Sequence, residues 1–124
     1  MPSHIHSVTF DCHDPVVVAE FWRAALGYVI EPGSVLDEEG AGIVDPAGHG
    51  PRLLFQPVPE GKVVKNRVHL DLQPSDSMAA EVARLEALGA KKVREFHEEY
   101  GVWTTMRDPE GNEFCVERGP DDRR

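Results

Sequence analysis

Arg107-Asp108-Pro109-Glu110-Gly111-Asn112-Glu113-Phe114-Cys115-Val116-Glu117 decides how this chain is read, because a milder copy of its opening, Asp45-Pro46-Ala47-Gly48, lies about halfway along. Asp-Pro-Glu-Gly-Asn spells a tight turn: proline presets φ at the first corner, glycine tolerates positive φ, and Asp and Asn bond back to the local backbone. Beyond the turn the residues alternate like a strand. Phe114 and Val116 point one way, Glu113, Cys115 and Glu117 the other, so the hairpin offers one apolar face and one polar face able to carry chemistry.

Working outward, the second half reads as strand, helix and three strands. Val68, Leu70 and Leu72 alternate with His69, Asp71 and Gln73. Ser75 or Asp76 is the expected cap of a helix that ends at Leu88-Gly89, with Met78, Val82, Leu85 and Leu88 inward and Glu81, Arg84 and Glu86 outward. Residues 91–96 and 102–107 supply two further strands, joined by a polar connector over 97–101, and the tail Asp121-Asp122-Arg123-Arg124 is expected to fray. The first half has the same order. A strand is predicted over 5–12, with His6, Val8, Phe10 and Cys12 on one face and Ile5, Ser7, Thr9 and Asp11 on the other. Asp14 caps a helix with Pro15 at its first position, a stripe of Val17, Val18, Phe21, Trp22, Ala25 and Leu26, and Gly27 as its stop. Strands over 28–31, 41–44 and 52–57 complete the unit. Asp14 and Leu26-Gly27 map onto Asp76 and Leu88-Gly89 with a shift of 62, and Asp45-Pro46 onto Asp108-Pro109 with a shift of 63. A nearly fixed offset across three landmarks is the mark of a duplicated β-α-β-β-β unit. The expected organisation is an α+β domain with one module at about 4–58, a linker at 59–66 broken by Pro59 and Gly61, and a second module at about 67–118.

Composition narrows the function classes. The chain has 124 residues, enough for one compact domain or two fused half-domains without disulfide or metal staples. With 22 acidic against 13 basic residues and a formal charge of -9, it lacks the basic surface that nucleic acid requires. No apolar run is long enough to span a bilayer, and Met1-Pro2-Ser3-His4 has no signal-peptide character. Cys12 and Cys115 lie inside apolar, strand-like runs, which implies buried reduced thiols and a cytoplasmic protein.

The two units, with residues 7–22, Leu26-Gly27-Tyr28, Leu53-Leu54-Phe55-Gln56, residues 67–72 and residues 108–116 as the carriers, resemble the vicinal oxygen chelate superfamily. More narrowly, the chain resembles the glyoxalase-like domains placed beside glyoxalase I, bleomycin-resistance proteins and extradiol dioxygenases. The resemblance implies a curved eight-stranded sheet around a cleft with the helices outside, a small-molecule ligand and a homodimer. Strand parity then assigns Val8, Phe10 and Cys12, and in the second unit Val68, Leu70 and Leu72, to the helix side. Ser7, Thr9, Asp11, His69, Asp71 and Gln73 are left for the cleft.

The resemblance also implies metal positions on the first and last strands of the two units. Seven residues before the capping Asp they fall on Ser7 and His69, and on the last strands on Gln56 and Cys115. Only His69 among these is a strong imidazole ligand, and a divalent site generally needs at least three protein donors, so the donor set argues against the inherited metal. A relocated site drawing on Asp71, Glu113 and Glu117 beside His69 stays open, as lyase or dioxygenase chemistry would need. Without metal, the chemistry open to these residues is acid-base catalysis of lyase or isomerase type. His69 and Glu113 are its catalytic candidates, and Ser7, Thr9, Gln56, Asp71, Trp103 and Cys115 the candidates for binding substrate. The competing class is a non-catalytic protein that sequesters a drug or metabolite between apolar walls such as Leu54, Phe55, Tyr100 and Trp103.

Overall fold

The computed structural model describes residues 1–122 and divides the chain into two compact units, Met1–Lys62 and the part from Val63 onward. Each carries one four-stranded mixed sheet and one α-helix, and neither sheet closes into a barrel. The expected α+β class and the β-α-β-β-β order of each unit are found.

In the first unit the order is β1 (Val8–Cys12), α1 (Pro15–Leu26), β2 (Val29–Ile30), β3 (Ala41–Val44) and β4 (Leu53–Pro57), with the sheet arranged β1-β4-β3-β2. The outer β1 runs parallel to β4, and the other pairs are antiparallel. α1 starts where the sequence places it, since the Asp14 carboxylate accepts the Val17 N–H at 3.3 Å. It stops at Gly27, whose φ of 68° needs a residue without a Cβ. Its inner face, Val18, Ala19, Phe21, Trp22 and Ala25, is buried, as are Cys12, Ile43, Leu53 and Phe55 of the sheet. The Phe10 ring lies 5.0 Å from Phe55 and 5.7 Å from Trp22, locking β1 and β4 to the helix. Strand β1 begins at Val8 rather than residue 5, because Ile5 has no core to enter and is exposed. Tyr28 lies outside β2. It is buried beside it, with its hydroxyl donating to the Pro51 carbonyl at 3.0 Å.

The second unit is β5 (Asp71–Leu72), α2 (Met78–Ala87), β6 (Lys91–Glu98), β7 (Gly101–Arg107), β8 (Glu113–Glu117) and a 3-10 turn (Pro120–Asp122). Its sheet runs β5-β8-β7-β6, with β5 parallel to β8, the other pairs antiparallel, and a bulge in β6 between Lys92 and Arg94. Here several expectations are corrected. The strand expected around 68–73 shrinks to two residues, and Val68, assigned to the helix side, is exposed. The cap of α2 is Ser77, whose hydroxyl accepts the Ala80 N–H at 3.1 Å, so neither Ser75 nor Asp76 performs that role. Asp76 instead offers its carbonyl to the Asp121 N–H at 3.1 Å. Leu88 falls on the cap after the last helical turn and is exposed, while Met78, Val82 and Leu85 are buried as expected. His97 and Glu98 pair with Val102 and Gly101, which shortens the connector to Glu99-Tyr100. Asp121 and Asp122 do not fray. The Asp122 carboxylate accepts the N–H groups of Met78 at 2.7 Å and Gly119 at 2.9 Å, placing a negative charge on the first turn of α2. Arg123 and Arg124 lie outside the described residues. Among the described residues no helix is long and apolar enough to cross a membrane.

Candidate functional site

The parity of β7 and β8 separates the site from the core. Thr104 and Met106 pair in register with Val116 and Phe114, and all four are fully buried on the face that α2 covers. The opposite face of the same strands carries Trp103, Thr105 and Arg107 against Glu117, Cys115 and Glu113, and adds Asp71 of β5, which stands opposite Cys115.

His69, two residues ahead of Asp71 and therefore on the same side of the chain, sends its Nδ1 to the Asp71 Oδ1 at 2.8 Å. The ligand atoms of His69, Asp71 and Cys115 all lie within 4.8 Å of one another. The two polar side chains are 39% and 47% exposed, whereas Cys115 is 9% exposed, so solvent and small molecules reach this trio from the imidazole side. Burial first, and then the Asp71 charge, push the Cys115 thiol above its ordinary value. A hydrogen bond with Thr105, whose Oγ1 sits 3.5 Å from the sulfur, opposes this more strongly than the Asp71 charge adds to it, but less than burial raises it. The thiol is accordingly neutral near pH 7 in the metal-free protein.

Glu113 is only 7% exposed and is held in place. Its carboxylate accepts the Asn66 N–H at 3.0 Å and lies 3.9 Å from the Arg107 guanidinium. The Asn66 amide donates in turn to Asn112 at 3.0 Å, and Asn112 is fixed by Asp108, whose Oδ1 accepts the backbone N–H groups of Glu110 and Asn112 at 2.9 Å each. The turn that opens β8 thus also sets the position of a buried carboxylate. Along the same sheet face Trp103 stacks on Phe96 at 5.1 Å with rings 10° from parallel, Tyr100 stacks on Trp103 at 5.8 Å, and the Arg94 guanidinium covers Phe96 at 4.3 Å.

Of the eight residues singled out from sequence, His69, Asp71 and Cys115 are brought together, and Glu113 and Trp103 share their sheet face. Ser7, Thr9 and Gln56 belong to the first unit: Ser7 is half-buried just before β1, Thr9 is exposed on β1, and Gln56 is exposed on β4 opposite Asp11. In both units, therefore, an aspartate of the first strand faces a last-strand residue able to hydrogen-bond. Sequence reasoning missed Asn66, Thr105 and Arg107. Pairing the 102–107 and 113–117 segments across their turn would have found the last two, because register alone puts them opposite Cys115 and Glu113. Nothing local marks Asn66, which reaches Glu113 only through the fold.

The donors on this face suit a divalent ion. Imidazole nitrogen, carboxylate oxygen and sulfur are donors of the kinds that ions of intermediate softness take, and the three could serve together as ligands.

Comparison with known proteins agrees with this architecture. The profile of the glyoxalase-like domain family matches residues 7–117. No curated protein sequence matches the chain. Among solved structures, the genomically encoded fosfomycin resistance protein of Listeria monocytogenes, in complex with Mn(II) and a dihydroxypropylphosphonic acid, is similar with a TM-score of 0.74. It shares 16% identity, over 96% of this chain and 92% of that one. A glyoxalase/bleomycin resistance protein/dioxygenase family enzyme from Burkholderia phytofirmans has a TM-score of 0.73 and 16% identity over 94% and 98% of the two chains. Lactoylglutathione lyase from Agrobacterium tumefaciens has a TM-score of 0.64 and 17% identity over 97% and 96%. At these identities the likeness is one of fold.

Proposed function

We propose, because this chain belongs to the glyoxalase-like domain family of the vicinal oxygen chelate superfamily, that it is an enzyme of lyase or isomerase type that moves a proton on a small carbonyl compound. The observation that carries this reading is the 2.8 Å contact between His69 Nδ1 and Asp71 Oδ1. With Nδ1–H donating to the carboxylate, the lone pair of the ring sits on Nε2, and the carboxylate holds the ring in that tautomer and orientation. A proton on a carbon next to a carbonyl is the group that such a base can take and return. Cys115 and Thr105 border the dyad and supply a thiol and a hydroxyl able to donate to a substrate oxygen. Glu113, fixed by Asn66 and Arg107, keeps that side of the face negative. A divalent ion held by His69, Asp71 and Cys115 would supply Lewis-acid polarisation of a carbonyl oxygen in place of base catalysis by this imidazole.

The test is proton exchange rather than a guessed product. Metal-free protein is incubated in D2O with a panel of small hydroxy- and oxo-compounds, and deuterium incorporation beside the carbonyl is followed by NMR. His69→Ala is expected to lower the exchange rate by about 10²–10⁴-fold, and Asp71→Asn by less, because the base survives but loses its orienting partner. Unchanged exchange in His69→Ala removes the proposal. A second reading, saturable binding without turnover, is favoured by the stacked Phe96, Trp103 and Tyr100 rings on the same sheet face, which form a surface for a flat or cationic compound. Ligand-dependent quenching of Trp103 with no exchange and no product separates the two.

A further inference from the structure

We infer that the substrate of this site is a carboxylate whose charge is separated from the reacting carbonyl by a flat apolar body, and that Arg94 holds the carboxylate. Which end of the substrate reacts is taken from the acid-base reading, on which the assignment rests; the charge at the other end comes from the bulge in β6. Lys91 pairs with Arg107 and Lys92 with Met106, but the next pairs are Arg94 with Thr105 and Phe96 with Trp103, so one extra residue is inserted after Lys92. In a regular strand Lys91, Val93, Glu95 and His97 would share a face. The extra residue turns the rest of the strand over. Lys91, Arg94 and Phe96 now face the side of Thr105 and Cys115, while Glu95 and His97 stand opposite Thr104 and Val102 on the other side. The Arg94 guanidinium, 4.3 Å from the Phe96 ring, and the stacking of Phe96 on Trp103 fix this orientation. The bulge thus exchanges the Glu95 carboxylate for a guanidinium on the face of the dyad.

That exchange divides the face by charge. Across β6 and β7 it carries Lys91, Arg94 and Arg107, with one acid, Glu98, at the hairpin end. Across β8 and β5 it carries Glu113, Glu117 and Asp71. Arg107 is engaged by Glu113 at 3.9 Å, whereas Lys91 and Arg94 form no ion pair among the described residues. In a chain of net charge -9, two such cations at neighbouring positions of one face are complementary to an anion, and the guanidinium offers a planar fork that matches a carboxylate. With Arg94 already over Phe96, the aromatic stack is better matched to a flat anion than to a cation. Arg94, Thr105, Cys115 and Asp71 stand opposite one another in successive strands, so at about 4.8 Å per strand the backbone of Arg94 is about 14 Å from that of Asp71. The anion and the reacting carbon therefore sit at opposite ends of the ligand, rather than on neighbouring atoms as in a 2-oxo acid.

The probes are 4-acetylbenzoate and its neutral isostere 4-acetylbenzamide, each followed by NMR in D2O with the metal-free protein. Their ring protons report binding, and loss of the methyl signal reports exchange beside the carbonyl. The acid is expected to bind about tenfold more tightly than the amide, the lower end for a charged hydrogen bond because Arg94 is exposed. The margin should shrink as salt is raised. Arg94→Gln should bring the two affinities within about twofold, and Arg94→Lys should keep part of the difference, since an ammonium retains the charge without the fork. Arg23→Gln, which removes one positive charge from α1, should leave the preference as it is. His69→Ala should lose exchange and keep the preference. No preference for the acid in the wild-type protein, whether both probes bind or neither does, or a preference that survives Arg94→Gln, overturns the inference. Preference is read at equilibrium and exchange as a rate, so the two readings fail separately: preference without exchange counts against proton transfer alone, and exchange without preference against the role of Arg94 alone.

Discussion

Replacing Asp108 by alanine should loosen β8 and with it the site. Asp108 is 3% exposed, and its Oδ1 accepts the backbone N–H groups of Glu110 and Asn112 at 2.9 Å, while the Asn112 side-chain amide reaches Oδ2 at 3.0 Å. A hydrogen bond to a charged acceptor contributes about 1.5–3 kcal/mol. Glu110 and Asn112 are half-buried, so water can partly replace the lost acceptor and the lower end applies to each backbone bond. The two together then amount to about 3 kcal/mol. The side-chain bond is left out, because a freed Asn112 amide can turn to solvent. At about 1.4 kcal/mol per tenfold, this corresponds to amide exchange in β8 faster by roughly 10²-fold. Hydrogen exchange read by mass spectrometry on peptides covering residues 113–117, with fragments of α1 as an internal reference, measures it directly. A change below about threefold would show that solvent satisfies the turn as well as the carboxylate does, and would refute its place as the organiser of the strand.

Three other outcomes are expected. In Gly119→Ala the new Cβ collides with the Asp76 carbonyl oxygen, so melting temperature should fall by an amount equivalent to about 1–3 kcal/mol, whereas Gly61→Ala, with open space at its Cβ, should be neutral. The carboxylates of Glu31, bonded by Arg52, and Asp45, bonded by the N–H groups of Ala47, Gly50 and His49, are both held below their ordinary values of 4.5 and 3.8. Their contribution is complete above those values and is lost as pH falls through the lower folded ones, so Glu31→Gln and Asp45→Asn should flatten the fall in melting temperature below about pH 4; parallel acid limbs would contradict this. Because burial raises the Cys115 thiol, its reaction with a disulfide reagent at pH 7 should be slower than that of an exposed peptide cysteine and should gain more on raising the pH; equal rates would refute the assignment.

The first unit was legible in detail because its signals are local and strong. Asp14, Pro15 and Gly27 bracket α1 to the residue. The second unit was harder: Ser75 and Asp76 are the expected caps, and the next residue in the row, Ser77, is the one whose hydroxyl meets the first turn of α2. The Asp76 carbonyl meanwhile accepts the Asp121 N–H, a contact with the C-terminal turn that no local pattern announces. Val68 shows the limit of alternation: an apolar residue with the right parity stays exposed when its segment leaves the ladder. The site was half visible. Parity put His69, Asp71 and Cys115 on one side of their strands, yet their mutual distances depend on the β5–β8 register, which no local pattern encodes. The hold of Asn66 on Glu113 spans 47 residues and was beyond any reading of neighbouring residues.

The long outer strand β6 has a consequence for how the protein behaves when concentrated. An eight-residue strand at the margin of a sheet offers a row of unpaired main-chain groups on which another chain could add as a further strand. Here that margin is broken by the bulge between Lys92 and Arg94 and studded with Lys91, Lys92, Arg94, Glu95 and Glu98, while the opposite margin, β5, is only two residues long. A kinked, densely charged rim and a stub are poor templates for fibril growth, so the sheet of the second unit is guarded at both margins against edge-to-edge pairing.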